Sequence, residues 1–342
     1  MKLHRRGALV LPLGAFLLVH YAGIAGAAPA ADPLPSWNDG ANKHAILEFV
    51  RSVTVEGLPT FVRPLDRVAT FDNDGTLWVE QPLYVEGQFV LDRARELAAD
   101  HPEWKQQQPF RGVLEGGPGA LASLTHHDIA TLIAATHSGM TTDAFEAGAR
   151  RWLATAKHPR FGRLYKELTY QPMIELLEFL RANGFRTYIV SGGGADFLRA
   201  NSEQVYGIPP GQVIGSTGKL AFETRGGKSV LIKLPEVTSV DDKQGKPINI
   251  HQHVGQRPIL AFGNSDGDLQ MLQYTASGDG PRLMLLLHHD DKAREYAYDR
   301  TSHIGMLDAA LDAAHENGWN VVSMKSDWNQ VFAAPRTSGA AR

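Results

Sequence analysis

The sequence predicts an α/β fold in which a parallel sheet is covered on both faces by helices and interrupted by an all-helical insertion. Three observations carry that expectation. Short apolar runs alternate with amphipathic helical stretches, the arrangement that builds parallel sheets. From Leu83 to about Tyr165 the pattern is helical, with Pro and Gly breakers and no strand-like alternation. Polar clusters follow several of the apolar runs, and ligands of such sheets bind outside the carboxyl ends of the strands.

Taken in chain order, Lys2, Arg5 and Arg6 precede the apolar run Ala8 to Val19, and small residues follow. Ala25-Gly26-Ala27 fits a small-x-small cleavage site, with Ala28-Pro29-Ala30 competing. The apolar run is too short to span a bilayer comfortably, so residues 1–27 are expected to be a cleaved signal peptide. That leaves no stable membrane anchor and places the mature protein in the periplasm or outside the cell. The chain has no cysteine, hence no disulfide, thiolate metal site or lipid-bearing cysteine.

Residues 28–65 are expected to form a Pro/Ala-rich linker and then a helix whose Ile46, Phe49, Val50 and Val53 share one face. Val68 to Phe71 reads as a short buried strand. The core is expected over 66–82 and 166–335, with the helical insertion over 83–165 acting as a cap. When the β/α pattern resumes, Met173, Ile174, Leu176, Leu177 and Leu180 form an apolar helical stripe stopped by Asn183-Gly184. Strands are expected over 187–194, 211–216, 258–264, 282–290 and 319–325. A hairpin-like stretch surrounds Arg225-Gly226-Gly227, a helix covers 303–318, and the tail 336–342 is expected to be disordered.

The 342 residues suffice for a large core with an insertion, and the formal net charge of −3 comes from 34 basic and 37 acidic residues mixed throughout. No basic stripe interleaves with aromatics, so nucleic acid is not an expected partner. No protein partner is legible either.

Chemistry is concentrated in "RVATFDNDGTLWVEQ", where the strand ends on two carboxylates, Asp72 and Asp74. Like charges aimed at one place cost free energy unless a cation, a proton or a reacting group lies between them. A calcium loop starting at Asp72 needs glycine sixth and glutamate twelfth, but Leu77 and Leu83 stand there; one starting at Asn264 meets Leu269 and Thr275. Phosphoryl transfer fits better. Asp72 is placed to attack phosphorus and form an aspartyl-phosphate, provided a cation offsets the repulsion between nucleophile and phosphate. Asp74 is placed to protonate the leaving alcohol and then to take a proton from water. Gly75 lets the chain turn, and Thr76 can hydrogen-bond the loop or the phosphate.

"DNDGT" after an apolar strand resembles the first motif of the haloacid dehalogenase superfamily of phosphatases, which implies a Rossmann-like core and Mg²⁺ as cofactor. "VSGGG" (Val190 to Gly194) looks like the second motif, in which Ser191 and the backbone N–H groups of Gly192 and Gly193 bind phosphoryl oxygens. Lys246, ahead of Pro247, suits the third, with Lys243 as its rival. "FGNSDGD" (Phe262 to Asp268) looks like the acidic fourth motif. The implied metal end is Asp72, Asp74 through its carbonyl, Asn264 and Asp268. The Ser-Gly-Gly sequence and the position of the insertion look most similar to the phosphoserine phosphatase branch.

Two positions depart from the pattern. Asn264 stands where the fourth motif has its first acid, leaving Asp266 and Asp268 to compensate, and Gln81 stands where phosphoserine phosphatases carry a glutamate, with Glu80 one residue early. The resemblance implies an exported Mg²⁺-dependent hydrolase of a small phosphomonoester. The alternatives are a silent phospho-ligand-binding protein, which Asn264 favours, and carbon–halogen cleavage, which Asp74 disfavours. His288 and His289 are expected to make ordinary hydrogen bonds, and Trp78 and Trp104 to pack.

Overall fold

Every residue of β1 (Val68–Phe71) is buried, as a central strand covered on both faces requires. The computed structural model describes residues 31–116 and 124–334; the expected signal peptide and the tail 336–342 lie outside the described residues. After β1 come β2 (Arg186–Gly194), β3 (Val213–Arg225), β4 (Lys228–Ser239), β5 (Leu260–Gly263), β6 (Leu283–Asp290), β7 (Ala297–Tyr298) and β8 (Asn320–Ser323). Parallel pairing joins β3, β2, β1, β5, β6 and β8 in that order, while β4 runs antiparallel to β3 and β7 to β6. Numbered among the parallel strands alone, this is the 3-2-1-4-5-6 order of doubly wound sheets. The chain leaves β1 on one side and returns to its other side, so β1 stands at the switch point.

Successive strand residues enter cores on opposite faces of the sheet. Phe71, Ile189, Phe262 and Leu285 belong to one apolar cluster, and Val68, Val190, Ala261 and Leu286 to the other. The helices are α1 (Ala41–Thr54), α2 (Val85–Leu97), α3 (Phe110–Glu115), α4 (His126–His137), α5 (Thr142–Leu153), α6 (Gln171–Ala182), α7 (Ala195–Arg199), α8 (Ser202–Tyr206), α9 (Gly245–Val254), α10 (Leu269–Ala276) and α11 (Ala309–Asn317); α3 and α4 place their apolar residues in a third cluster with Leu83 and Trp104, and the others cover the sheet. Ile46, Phe49, Val50 and Val53 of α1 are buried. The segment before α1 is docked, which corrects its reading as a linker. Leu34 is buried, the Trp37 and Trp328 rings meet edge to face at 5.8 Å, and the Ser36 hydroxyl donates to Glu175 at 2.6 Å.

Between Leu83 and Tyr165 the described residues form helices and no strand longer than an isolated bridge. The insertion is not a separate compact unit, because from Pro33 on the described residues cluster as one. Phe89 of α2 stacks on Phe197 of α7 at 5.2 Å, and Phe145, Ala149 and Leu153 of α5 join the main core. The β3–β4 hairpin, longer than its sequence signal, reaches the same insertion: Gly139 N–H donates to Lys233 O at 2.9 Å and Lys233 N–H to Met140 O at 3.0 Å. The helix expected from His303 begins only at Ala309. Gly305 takes a left-handed φ of 64°, and Asp266 accepts the N–H groups of Asp308 and Ala310, each at 2.9 Å, which starts the helix there.

Candidate active site

Strand register assembles the site. Phe71 pairs with Ile189 on one side and Phe262 on the other, so Asp72, Ser191 and Asn264 emerge together at the carboxyl ends of three adjacent parallel strands. The Asp72 N–H donates to Phe262 O at 2.9 Å. The chain then turns at Gly75, whose φ of 73° suits glycine. A Cβ there would fall 2.1 Å from Asn264 Nδ2 and 2.3 Å from Glu80 Oε1, so this position has no room for a side chain. His289 secures the turn from β6 by donating from Nε2 to Gly75 O at 2.7 Å.

Lys246, at the start of α9, extends into the sheet end with 2 % of its surface exposed. Its ammonium donates to Asp72 Oδ1 at 2.6 Å, Asp268 Oδ1 at 2.7 Å and Val190 O at 2.8 Å. Three acceptors match its three protons. Burial alone would lower the lysine pKa, but the charges of Asp268 and Asp72 hold it above its ordinary value. Burial, with Asp268 beside it, pushes Asp72 up against the pull of Lys246. Lys243 is exposed in the preceding turn, so of the two lysines considered, Lys246 is the one that reaches Asp72.

Asp268 has no exposed surface, and protein donors occupy both of its oxygens. Oδ1 takes Lys246, while Oδ2 accepts Asn264 N–H at 2.9 Å, Ser265 N–H at 3.0 Å and the Ser265 hydroxyl at 3.2 Å. Placed so, it orients Lys246 and closes the turn after β5. Asp266 likewise serves α11. Thr76, expected at the phosphate, is fully buried and donates to Asn264 Oδ1 at 3.1 Å; it holds the loop.

Asp74 Oδ1 accepts Trp78 Nε1–H at 2.8 Å, and burial pushes its carboxyl up to about 6 against that bond. An acid so placed can exchange protons near neutrality. Ser191 Oγ is buried and accepts Gly193 N–H at 3.2 Å. Over the same loop lies Glu86 of α2, which the sequence reading missed: its carboxylate accepts Gly194 N–H at 2.6 Å. A Cβ on Gly193 would lie 3.3 Å from Glu86 Oε2, 3.4 Å from Ser191 Oγ and 3.7 Å from Asp74 Oδ2, so one small space is shared by all three. Burial raises Glu86 to about 7. His137, 4.0 Å from Glu86, is pushed down to about 3 by burial and by Lys233, so the contact is no ion pair.

Glu80 was also missed as a site residue. It is 2 % exposed, and its Oε1 accepts Asn264 Nδ2–H at 2.6 Å and the Tyr298 hydroxyl at 2.8 Å. Burial raises its pKa, and Asp72 and Asp74 raise it further. Among the described residues no three His, Cys, Asp or Glu side chains converge as a ready-made cage. Mg²⁺ is nevertheless commonly held by one or two carboxylates with waters and substrate phosphate. The hard oxygens here, with buried acids repelling one another, are a donor set that suits it.

The family model of the haloacid dehalogenase-like hydrolases matches residues 69–273. Among solved structures, a conserved protein of unknown function from Anaerococcus prevotii superposes with a TM-score of 0.53 at 15% identity, over 82% of this chain and 91% of that one. A protein of unknown function from Bordetella pertussis (15% identity, 75% and 97% covered, TM-score 0.47) and a probable phosphoserine phosphatase from Vibrio cholerae (16%, 76% and 71%, 0.36) are more distant. At these identities the first likeness speaks for the fold alone, and the other two carry no argument. No curated protein matches the chain significantly.

Proposed function

The chain belongs to the haloacid dehalogenase-like hydrolases, and on that premise we propose that it is an exported, Mg²⁺-dependent phosphomonoesterase acting on a small phosphorylated metabolite. The observation that carries this reading is Asp72 held 2.6 Å from a buried lysine, with Asp74 two residues on and the Ser191 loop on the next strand. Binding alone needs no such nucleophile, which weighs against the silent phospho-ligand-binding reading. Asp74 weighs against a dehalogenase.

In the proposed reaction a carboxylate oxygen of Asp72 attacks phosphorus, and the ester P–O bond breaks. Asp74 gives its proton to the departing alcohol oxygen. Water then attacks the aspartyl-phosphate with Asp74 taking its proton, which releases phosphate and restores Asp72. Ser191 and the backbone of Gly192 and Gly193 hold the phosphoryl oxygens, and Lys246 fixes and partly neutralises Asp72. Mg²⁺ would be held by Asp72, the Asp74 carbonyl and Asn264, and when bound it supplies charge that offsets repulsion between nucleophile and phosphate. The signal-like start supports export; the mixed surface charge supports a small-molecule substrate over nucleic acid.

Purified chain from Ala28 onward should hydrolyse p-nitrophenyl phosphate in Mg²⁺ and lose turnover in chelator. Absence of turnover across a panel of phosphomonoesters, with Mg²⁺ present, would refute the reading.

A further inference from the structure

We infer that Glu80 supplies the second carboxylate of the divalent-cation site, replacing the charge that Asn264 lacks. The inference rests on the cation-dependent reading above and goes beyond it by assigning a residue outside the matched motifs. Asn264 follows β5 beside β1, and its amide contributes no charge. The carboxylate in contact with it is Glu80, with 2.6 Å between Nδ2 and Oε1. A carboxylate there accepts, so the amide nitrogen faces Glu80, and Oδ1 faces the donating Thr76 hydroxyl. Glutamate and asparagine together occupy the place of one shorter acid.

The surroundings are shaped to this carboxylate. A Cβ on Gly75 would lie 2.3 Å from Glu80 Oε1 and one on Gly305 only 1.9 Å from it, and both glycines have left-handed φ, 73° and 64°. Two separate loops thus close on one oxygen, and both must be glycine there because the carboxylate takes the place of a side chain. The described donors to that oxygen, Asn264 and Tyr298, are neutral. Among the described residues no cationic side chain pairs with Glu80, although Asp72 and Asp74 are close enough to act on it electrostatically. A buried carboxylate whose described donors are all neutral is costly unless it meets a cation.

The test is calorimetric titration of Mg²⁺ and of Mn²⁺ into the full mature chain without substrate, for the parent, Glu80→Gln, Asn264→Asp and the double variant. Glu80→Gln is expected to weaken both cations by about tenfold or more, and Asn264→Asp in the same chain to restore most of the loss. Unchanged affinity in Glu80→Gln overturns the inference, because a purely structural glutamate would behave that way. So does a loss that Asn264→Asp fails to restore in a variant with an unaltered melting temperature. Should Glu80→Gln not fold, Asn264→Asp alone decides: tighter Mn²⁺ binding supports a shared ion, and unchanged binding overturns it. A parent chain that binds neither cation overturns the inference whether or not it turns over phosphate esters. Failure to turn them over, with cation binding as expected, counts against the proposed activity alone.

Discussion

Lys246 Nζ and Asp72 Oδ1 are 2.6 Å apart although 174 residues separate them in the chain. The lysine also binds Asp268, so one cation holds the ends of β1 and β5 together.

Removing that cation should be costly to stability. Lys246→Met leaves Asp72 and Asp268 buried without their cation, and breaking such a pair from one side costs about 3–5 kcal/mol. Urea denaturation should report a loss of that order. Hydrolysis of p-nitrophenyl phosphate should be abolished even at temperatures where the variant is folded.

Asp72→Asn and Asp74→Asn should differ in kind. The first removes the nucleophile and should eliminate covalent phosphate capture. The second should cost about 10² to 10⁴ in rate, the usual contribution of a positioned acid or base. Phosphate trapped on Asp72→Asn in an acid-quench experiment would show that another residue is the nucleophile.

Glu86 predicts a pH effect. Burial raises its folded value to about 7, above the unfolded value near 4.5. Folding therefore favours its protonated form: the full contribution is present below the unfolded value and is lost as pH rises through about 7. Glu86→Gln should leave the melting temperature nearly unchanged below the unfolded value, at about pH 4, and raise it relative to the parent at about pH 8. An equal difference at both values would mean that the carboxylate is not buried as described.

Gly75→Ala should damage the turn in two ways. Alanine at φ 73° is strained, and its Cβ would collide with Asn264 and Glu80. A loss of more than about 1 kcal/mol is expected by denaturation. Turnover should fall as well, because the same turn sets Asp74.

β1 and the two aspartates that follow it were legible in the sequence because their signals are local: four residues fit for a buried strand, then carboxylates two apart, then a glycine that lets the chain turn. The Ser-Gly-Gly-Gly end of β2 and Lys246 beside Pro247 were legible for the same reason. The hold of Asp268 on Lys246 was not legible, since nothing in "NSDGD" shows that Lys246 and three donors of its own turn would reach its two oxygens. Thr76 was ambiguous until Asn264 was seen to receive its hydroxyl.

By itself, then, the sequence determined which strands alternate with helices and which side chains sit at strand ends, since periodicity and turn chemistry act over a few residues. Only the tertiary structure decided what converges there. Glu80 meets Asn264 across 184 residues and Glu86 meets Gly194 across 108, while the β3–β4 hairpin extends to bind the insertion and Trp37 closes on Trp328. Such contacts depend on the order and register of the parallel strands. Each partner is an ordinary residue in its own neighbourhood, and its role arises from burial beside a group that the fold, and not the local chain, delivers.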